Sequence, residues 1–387
     1  MTPGARIAAA AELLDDILDG SPAERALTRW ARRSRFAGSK DRAAVRDLVF
    51  DALRCRRSLA IRGGAATGRG LMIGLLREAG QDPATLFTGE GHAPAPLTEA
   101  ERDAGGEPAG ADALDLPDWL VPLFEEALGP GHAEAALTLR HRAPTFLRVN
   151  LRKASVAEAS AALSSAGIVT RPHPLADTAL EVVEGARAIA GSVPYRDGLV
   201  ELQDAASQAV CTSIPVRNGL TVLDYCAGGG GKTLALAGRA EGVFTCHDLN
   251  AQRLKDIPAR ADRAGVTVRI AGREDVARQA PYDLVLCDVP CSGSGAWRRS
   301  PEGKWSLTPS ALDALNDIQD GILAEAARLV ARDGVLAYAT CSVLRSENEA
   351  RVARFLAATP GWRCTTERRI GLDAGGDGFY LALLDRA

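Results

Sequence analysis

From about residue 206 onward, short apolar runs alternate with helically spaced stretches, and this alternation restricts that half of the chain to a parallel sheet. The runs are Thr221–Tyr225, Val243–His247, Asp283–Cys287 and Val335–Thr340. Between the last two, Thr308 is placed to cap a helix with Pro309 in its first turn. Trp362–Thr366 and Phe379–Leu384 read as a closing antiparallel hairpin. Ligands in open α/β sheets bind beyond the carboxyl ends of the strands. The residues that follow each run are therefore the first place to look for chemistry.

The first half has another rhythm. From Ile7 to about Leu76 the apolar spacing is helical, with one stripe at Leu13, Leu14, Ile17 and Leu18 and another at Val45, Leu48, Val49, Ala52 and Leu53. Ser39 is the expected N-cap of the second stripe's helix and Gly63-Gly64 its stop. Residues 88–112 are rich in Gly, Pro, Ala and acids and read as a linker or long loop. A further helical stripe (Trp119, Leu120, Leu123, Phe124, Leu128) closes at Gly129-Pro130. Phe146–Asn150 reads as a strand, and Ser155-x-x-Glu158 as a capping box for a helix ending at Gly167. Short strands at Ile168–Thr170, Leu180–Val183 and Leu199–Leu202 complete a small α/β unit. The expected division is 1–87, helical; 88–112, acidic linker; 113–205, helical connector and small α/β unit; 206–387, the parallel-sheet domain.

A chain of 387 residues suits two or three domains, and 46% apolar residues suffice for their cores. No apolar run is long enough for a membrane span, and acids and Arg6 interrupt the Ala-rich start, so neither a span nor a signal peptide is expected and the protein reads as cytoplasmic. The eight cysteines form no C-x-x-C pair and the five histidines do not cluster near them, so no metal site is expected. A net charge of −3 argues against a polyanion, but its distribution points the other way: residues 25–62 hold twelve Arg or Lys against three acids, and residues 80–118 hold nine acids and one Arg. The pattern suggests a polyanion-binding module followed by an acidic linker; a solvated Arg-rich helical surface is the plain alternative.

The segment Leu223-Asp224-Tyr225-Cys226-Ala227-Gly228-Gly229-Gly230-Gly231-Lys232-Thr233 runs from a strand into a helix. Its glycines let backbone approach a ligand closely. The spacing fits neither a Walker A loop, which would need glycine at Cys226, nor a dinucleotide G-x-G-x-x-G, which would need one at Thr233. A ligand loop followed by an acid about 20 residues on, here Asp248, suits a nucleoside whose ribose hydroxyls the acid accepts. Asp288-Val289-Pro290-Cys291 and Thr340-Cys341-Ser342 each follow a strand, on the same edge. Either cysteine alone reads as a core residue; two at strand ends beside a nucleoside loop do not.

One chemistry needs such a pair. Carbon 5 of cytosine is too weak a nucleophile to displace a methyl group from a sulfonium, but a thiolate added at carbon 6 converts the ring to an enamine. A carboxyl group such as that of Asp288 can favour the addition by bonding ring nitrogen 3. A second cysteine can then assist loss of the carbon-5 proton and expulsion of the first thiolate. A free cysteine, with pKa about 8.5, is only a few per cent thiolate at pH 7, so the site must favour ionisation. Lys232 is a candidate cation for that, or else a phosphate or cofactor contact.

At these motifs the sequence resembles the Fmu/Sun family of RNA cytosine carbon-5 methyltransferases. LDYCAGGGGKT, DVPCSGSGAWRRSPEGKW, ATCSVLRSENE and the terminal DGFYLAL are similar to its catalytic motifs. TFLRVN and LVELQDAASQ resemble its small RRM-like subdomain, and RFAGSKDRAAVRDLVFDALR its NusB-like RNA-binding domain. The resemblance implies an α/β class I (Rossmann-like) methyltransferase domain, an RRM-like α/β subdomain and an N-terminal all-α NusB-like domain. It implies S-adenosylmethionine as cofactor, held by Cys226, Ala227, Gly228, Gly229, Gly230, Gly231, Lys232, Asp248 and Asp288, with Asp275 a displaced substitute for the acid that meets adenine. Cys341 would be the nucleophile, Cys291 would assist product release, and Asp288 would lie between cofactor and base. Arg298, Arg299, Lys304, Arg35, Lys40 and Arg42 would face RNA. The implied substrate is a cytosine of 16S ribosomal RNA and the implied state a monomer. Transfer RNA or another RNA as target, or a silent RNA-binding assembly factor, are the alternatives. The family's Ala-Ala-Pro-Gly-Gly-Lys is Ala-Gly-Gly-Gly-Gly-Lys here, which loses a rigid proline and suggests a looser cofactor loop. The helical region is also shorter than a full NusB-like domain.

Overall fold

The apolar stripes of the N-terminal half form helices in the computed structural model, which describes residues 1–387. The chain separates into two units, Met1–Arg142 with Trp297–Ser306, and Ala143–Ala296 with Leu307–Ala387. In the first, helices Pro3–Leu18, Ala23–Arg33, Ser39–Arg54, Arg56–Gly63 and Gly68–Glu78 enclose a core that includes Leu14, Val45, Leu59, Leu71 and Met72. The stretch 39–63 breaks at Cys55 into two helices. Gly38, one residue before the expected Ser39, is its N-cap, and the Asp41 carboxylate accepts the Gly38 N–H at 3.3 Å. Gly64 ends the second helix in the left-handed conformation, φ 78°, which an L side chain adopts only with strain.

The expected linker at 88–112 is folded onto this helical unit. It carries the short helices Glu99–Asp103 and Gly110–Ala113. The acids of residues 80–118 pair with arginines of the helices: Arg69 with Glu101 at 2.6 Å, Arg62 with Glu107 at 2.8 Å, and Arg57 with Asp112 at 2.5 Å and with Asp118 at 2.7 Å. The charge asymmetry seen in sequence is thus partly cancelled in space. Residues 113–142, expected to go with the small α/β unit, also pack here. So does a ten-residue segment from far along the chain: Trp297 stacks on Phe124 with ring centroids 6.1 Å apart. Trp305 Nε1 donates to Leu53 O at 2.6 Å and Lys304 Nζ to Arg54 O at 3.0 Å. These two donors satisfy carbonyls that the end of helix Ser39–Arg54 leaves without helical partners.

In the second unit, strands β1 (Thr145–Val149), β2 (Val169–Pro172), β3 (Ala179–Glu184) and β4 (Val200–Leu202) form an antiparallel sheet in the order β2-β3-β1-β4. Helix Val156–Ser165 opens with the expected Ser155/Glu158 capping box and buries Ala159 and Leu163 against Leu147, Val149 and Leu180. Strands β5 (Leu220–Asp224), β6 (Gly242–Cys246), β7 (Val268–Ile270), β8 (Tyr282–Asp288), β9 (Val330–Thr340), β10 (Trp362–Ile370) and β11 (Phe379–Arg386) form a seven-stranded sheet in the order β10-β11-β9-β8-β5-β6-β7. β5 to β9 are parallel, and β11 and β10 join as the antiparallel hairpin expected from the sequence. β7 is an unexpected strand: it has three residues, lies at an edge and carries Arg269, so it leaves no apolar run to read.

The sheet is covered on both faces. Ala206, Val210 and Leu236 pack on one, and Leu323, Val352 and Phe355 on the other. That is why Leu284, Val285, Leu286 and Cys287 are all apolar and all buried. At about 1.5–3 kcal/mol for each large aliphatic side chain removed from water, β8 is firmly held up to Asp288. No helix is long and apolar enough to cross a membrane.

Candidate active site

β8 and β9 are neighbouring parallel strands with Asp288 in register with Ala339, so the chain leaves both at the same edge. Val289 N–H donates to Ala339 O, and Gly295 N–H to Cys341 O, each at 3.0 Å, which ties the two exit loops together. The Cys291 and Cys341 sulfurs are 3.4 Å apart, and both residues remain partly exposed. Two thiols from positions 50 residues apart thus meet at one opening.

Behind them lies a buried carboxylate that sequence reasoning misses. Glu347 Oε1 accepts from Ser292 N–H at 2.7 Å and Gln319 Nε2 at 3.1 Å. Its Oε2 accepts from Ser342 Oγ at 2.5 Å and from Ser292 Oγ. Asn348 accepts from Thr340 Oγ1 at 2.6 Å and donates to Ser342 O at 3.0 Å. Glu347 stands among charged residues, Arg345 to Glu349, a setting that normally means solvent; only its spacing from the Thr-Cys-Ser segment could have signalled otherwise.

The glycine loop joins β5 to helix Gly231–Ala237 at the same sheet edge. Gly228 has φ 52°, and its N–H donates to Asp248 Oδ2 at 3.0 Å; Gly230 has φ 77°, and a Cβ there would stand 3.0 Å from Ile257. Both conformations call for glycine. Below the loop, Asp224 accepts from Thr233 Oγ1 at 2.6 Å, and complete burial pushes its carboxyl up to about 7. Asp224 is also missed from sequence, since a polar strand end reads as ordinary. Asp248 accepts from Asn250 N–H at 2.9 Å as well and pairs with Arg253 at 3.2 Å.

Cys226, Asp248, Leu249, Arg253, Pro290 and Ile318 line a cavity of about 330 Å³ that runs from the glycine loop to the residue before Cys291. Asp275, expected to meet adenine, does not line it. Its half-exposed carboxylate pairs with Arg278 one turn along the same helix, while Arg273 faces the cavity.

Lys232 projects from the first turn after the loop and donates to Asp288 Oδ2 at 2.7 Å, with its ammonium 4.9 Å from the Phe379 ring. Burial opposes the charge, but the adjacent Asp288 carboxylate outweighs it and holds Lys232 above the ordinary lysine value. Contact with Cys341, then burial, then the Glu347 charge hold the Cys291 thiol well above the ordinary cysteine range.

The residues expected to face RNA divide. Arg35, Lys40, Arg42 and Arg299 are exposed. Arg298 and Lys304 are 6% and 1% exposed, and they belong to the interior of the helical unit. Arg298 O accepts from Arg54 Nε at 2.7 Å, and burial drives the Lys304 ammonium down to about 8. Their expected phosphate contact is replaced by a packing role, because residues far away in sequence cover them.

Comparison with known proteins accords with this geometry. A family model described as 16S rRNA methyltransferase RsmB/F matches residues 212–383, and one described as the Methyltr_RsmF/B-like ferredoxin-like domain matches residues 116–188. The chain is 35% identical over 254 residues to the probable ribosomal RNA small subunit methyltransferase B of Bacillus subtilis, covering 63% of this chain and 56% of that one. It is 33% identical over 309 residues to ribosomal RNA small subunit methyltransferase B of Vibrio cholerae, covering 75% and 71%. The crystal structure of PH0851 has the same fold, with a TM-score of 0.79 at 22% identity over 100% of this chain and 99% of that one. The methyl donor of such enzymes is S-adenosylmethionine, and the residues present fit it: a carboxylate for ribose hydroxyls at Asp248, apolar walls at Leu249 and Ile318, and backbone laid bare at Gly228. With a catalytic-domain model and an extended relative both matched, the chain belongs to the RsmB/F family of 16S rRNA methyltransferases.

Proposed function

We propose that this protein methylates carbon 5 of a cytosine in small-subunit ribosomal RNA through a covalent adduct with Cys341. The observation that carries the reading is the 3.4 Å separation of two thiols at the tips of adjacent parallel strands, beside a cavity suited to a nucleoside cofactor. Bound S-adenosylmethionine would supply an electrophilic methyl group, held by the 226–232 loop and Asp248.

The chain's own residues divide the remaining work. Cys341 adds as thiolate to carbon 6, while Cys291, kept protonated, donates to it and moderates its charge. Asp288, its charge balanced by Lys232, accepts from ring nitrogen 3 once that nitrogen has taken a proton from water, and so favours addition. Once Cys341 is bound to carbon, the largest cause raising the Cys291 thiol is gone. Cys291 is then freer to ionise, take up the carbon-5 proton and assist release. The target base is unstacked or flipped out, because carbon 6 is unreachable inside a helix.

The all-α unit serves as a NusB-like RNA grip. Arg35, Lys40 and Arg42 are exposed beside Phe36, itself 76% exposed, which offers phosphate contacts around a stacking face.

Bisulfite sequencing of total RNA with and without the gene tests the reading: a single small-subunit cytosine should lose protection. Cys341→Ala should abolish turnover and leave no adduct, whereas Cys291→Ala should accumulate a covalent protein–RNA species on denaturing gels. An adduct found with Cys341→Ala instead would exchange the two roles.

A further inference from the structure

We propose that Glu347 is a positioning residue for both reactive thiols, a single buried carboxylate that joins the loop after Cys291 to the loop after Cys341. Its catalytic meaning rests on the function proposed above, but its geometry stands independently. Glu347 is fully buried and receives four hydrogen bonds, all from neutral donors. Those donors are placed with purpose: Ser292 is the residue after Cys291, and Ser342 the residue after Cys341. The remaining donor, Gln319, also donates to Pro290 O at 2.9 Å, the residue before Cys291. The chain on both sides of Cys291 is thereby referred to the same carboxylate that holds the chain after Cys341.

A carboxylate suits this role where an amide does not. On Oε1 the Ser292 N–H and the Gln319 amide nitrogen can only donate, and on Oε2 Ser342 Oγ already accepts from Leu344 N–H at 3.0 Å and so turns its proton to Glu347. Lone pairs on both oxygens suit these donors. Charge-assisted bonds are shorter and stiffer than neutral ones, and a buried carboxylate without a cation persists only if such bonds fully satisfy it. Asn348 supplements the clamp by gripping Thr340 and Ser342 on either side of Cys341. The expected consequence is a fixed sulfur-to-sulfur distance, which proton sharing between the thiols requires.

Glu347→Gln preserves volume while turning two of the four donors against an NH2 group. Two measurements then separate the clamp from the reaction. A trivalent arsenical, phenylarsine oxide, bridges paired thiols, and its capture by the protein alone requires no RNA or methyl donor. Capture by Glu347→Gln should fall to the level of Cys291→Ser. With RNA and S-adenosylmethionine, kcat should fall about 100-fold, as a misplacement near 1 Å causes. KM for RNA should stay within about twofold, since ground-state binding is untouched. Covalent adduct should persist, and Glu347→Asp should recover part of the rate. Wild-type arsenical capture by Glu347→Gln overturns the proposal whatever the methylation assay shows. Lost capture, with a wild-type protein that methylates no RNA, keeps the clamp and discards the function proposed above. Should Glu347→Gln fail to fold, Ser342→Ala removes one bond of the four and carries the same test.

Discussion

Each unit of this molecule buries a lysine taken from a catalytic motif of the sequence, and the two have opposite fates. Lys232, in the sheet-bearing unit, meets the Asp288 carboxylate at 2.7 Å and keeps its charge above the ordinary range. Lys304, in the helical unit, meets the Arg54 carbonyl at 3.0 Å and the Trp305 ring at 4.6 Å. Burial wins there over the pull of Asp115, the nearby Arg140 and Arg54 add to it, and its pKa falls to about 8. Both ammonium groups lie near an aromatic ring, and both are removed from water. What differs is the partner. An opposing carboxylate makes a buried lysine an electrostatic device, and a carbonyl at a helix end makes it a packing element.

Replacing each lysine by methionine gives the largest separation. Lys232→Met leaves Asp288 without its counter-charge at the reacting base and should lower kcat about 100- to 1000-fold in single-turnover methylation, the scale of losing a preorganised electrostatic partner. Its melting temperature should change little, since the Asp288 side chain is 31% exposed and water can take the place of the ammonium. Lys304→Met removes a desolvated charge but also the donor that satisfies Arg54 O, so its two effects on stability oppose each other. Its kcat per folded molecule should stay within about twofold. A loss of kcat in Lys304→Met equal to that in Lys232→Met would break the comparison and return Lys304 to the RNA surface.

Titration sharpens the same contrast. The folded value of Lys304 is about 8 and that of an unfolded lysine about 10.4, so between those limits the unfolded chain holds a proton that the folded chain lacks. Stability from this group therefore rises with pH across the window, by at most about 1.4 kcal/mol per pH unit. Lys232 has a raised folded value, so its contribution is complete below about 10.4 and is lost only above it. Cys55, beside Lys304 and pushed up to about 11, acts with the opposite sign from about pH 8.5 upward. The clean quantity is thus the difference from Lys304→Met. The variant's stability relative to the natural chain should be highest below pH 8 and fall steadily towards pH 10.4. Urea unfolding followed by tryptophan fluorescence reports it, because Trp30, Trp119, Trp297 and Trp305 all lie in the helical unit. A difference that does not depend on pH would mean that Lys304 is not desolvated.

Which parts of the site are legible in sequence follows from the same physics. Asp288, Cys291, Cys341 and Asp248 come directly after apolar runs such as Leu284–Cys287, and a buried parallel strand announces its own end. The left-handed turns at Gly228 and Gly230 are legible because only glycine suits them. Lys304 and Arg298 are not, because their cover comes from Arg54 and Arg142, more than 150 positions away. Glu347 misleads because a charge near other charges reads as solvated, whereas the acids at 101, 107 and 118 mislead only as to partner, since sequence does not say which arginine will reach them. Asp275 looks like a ligand through its position after a strand, and its own helix supplies Arg278 one turn away.

The smallest effect concerns the loop that delivers Lys232. Gly228 and Gly230 have positive φ, but Gly229 between them does not, and its N–H donates no backbone hydrogen bond. A Cβ there would meet only the Arg260 guanidinium, at 2.9 Å, the far end of a side chain that can swing aside. Gly229→Pro should therefore be accommodated, and it removes freedom from the unbound loop worth about 0.4–1 kcal/mol, or roughly a two- to fivefold gain in affinity. Calorimetry with S-adenosylmethionine reads that gain directly. Gly230→Ala is the contrasting variant, since its Cβ would press on Ile257 at a φ of 77°, and it should weaken binding. If Gly229→Pro weakens binding as well, the loop needs its mobility to bring Lys232 to Asp288. The ion pair that distinguishes Lys232 from Lys304 would then be formed during ligand binding rather than built in beforehand.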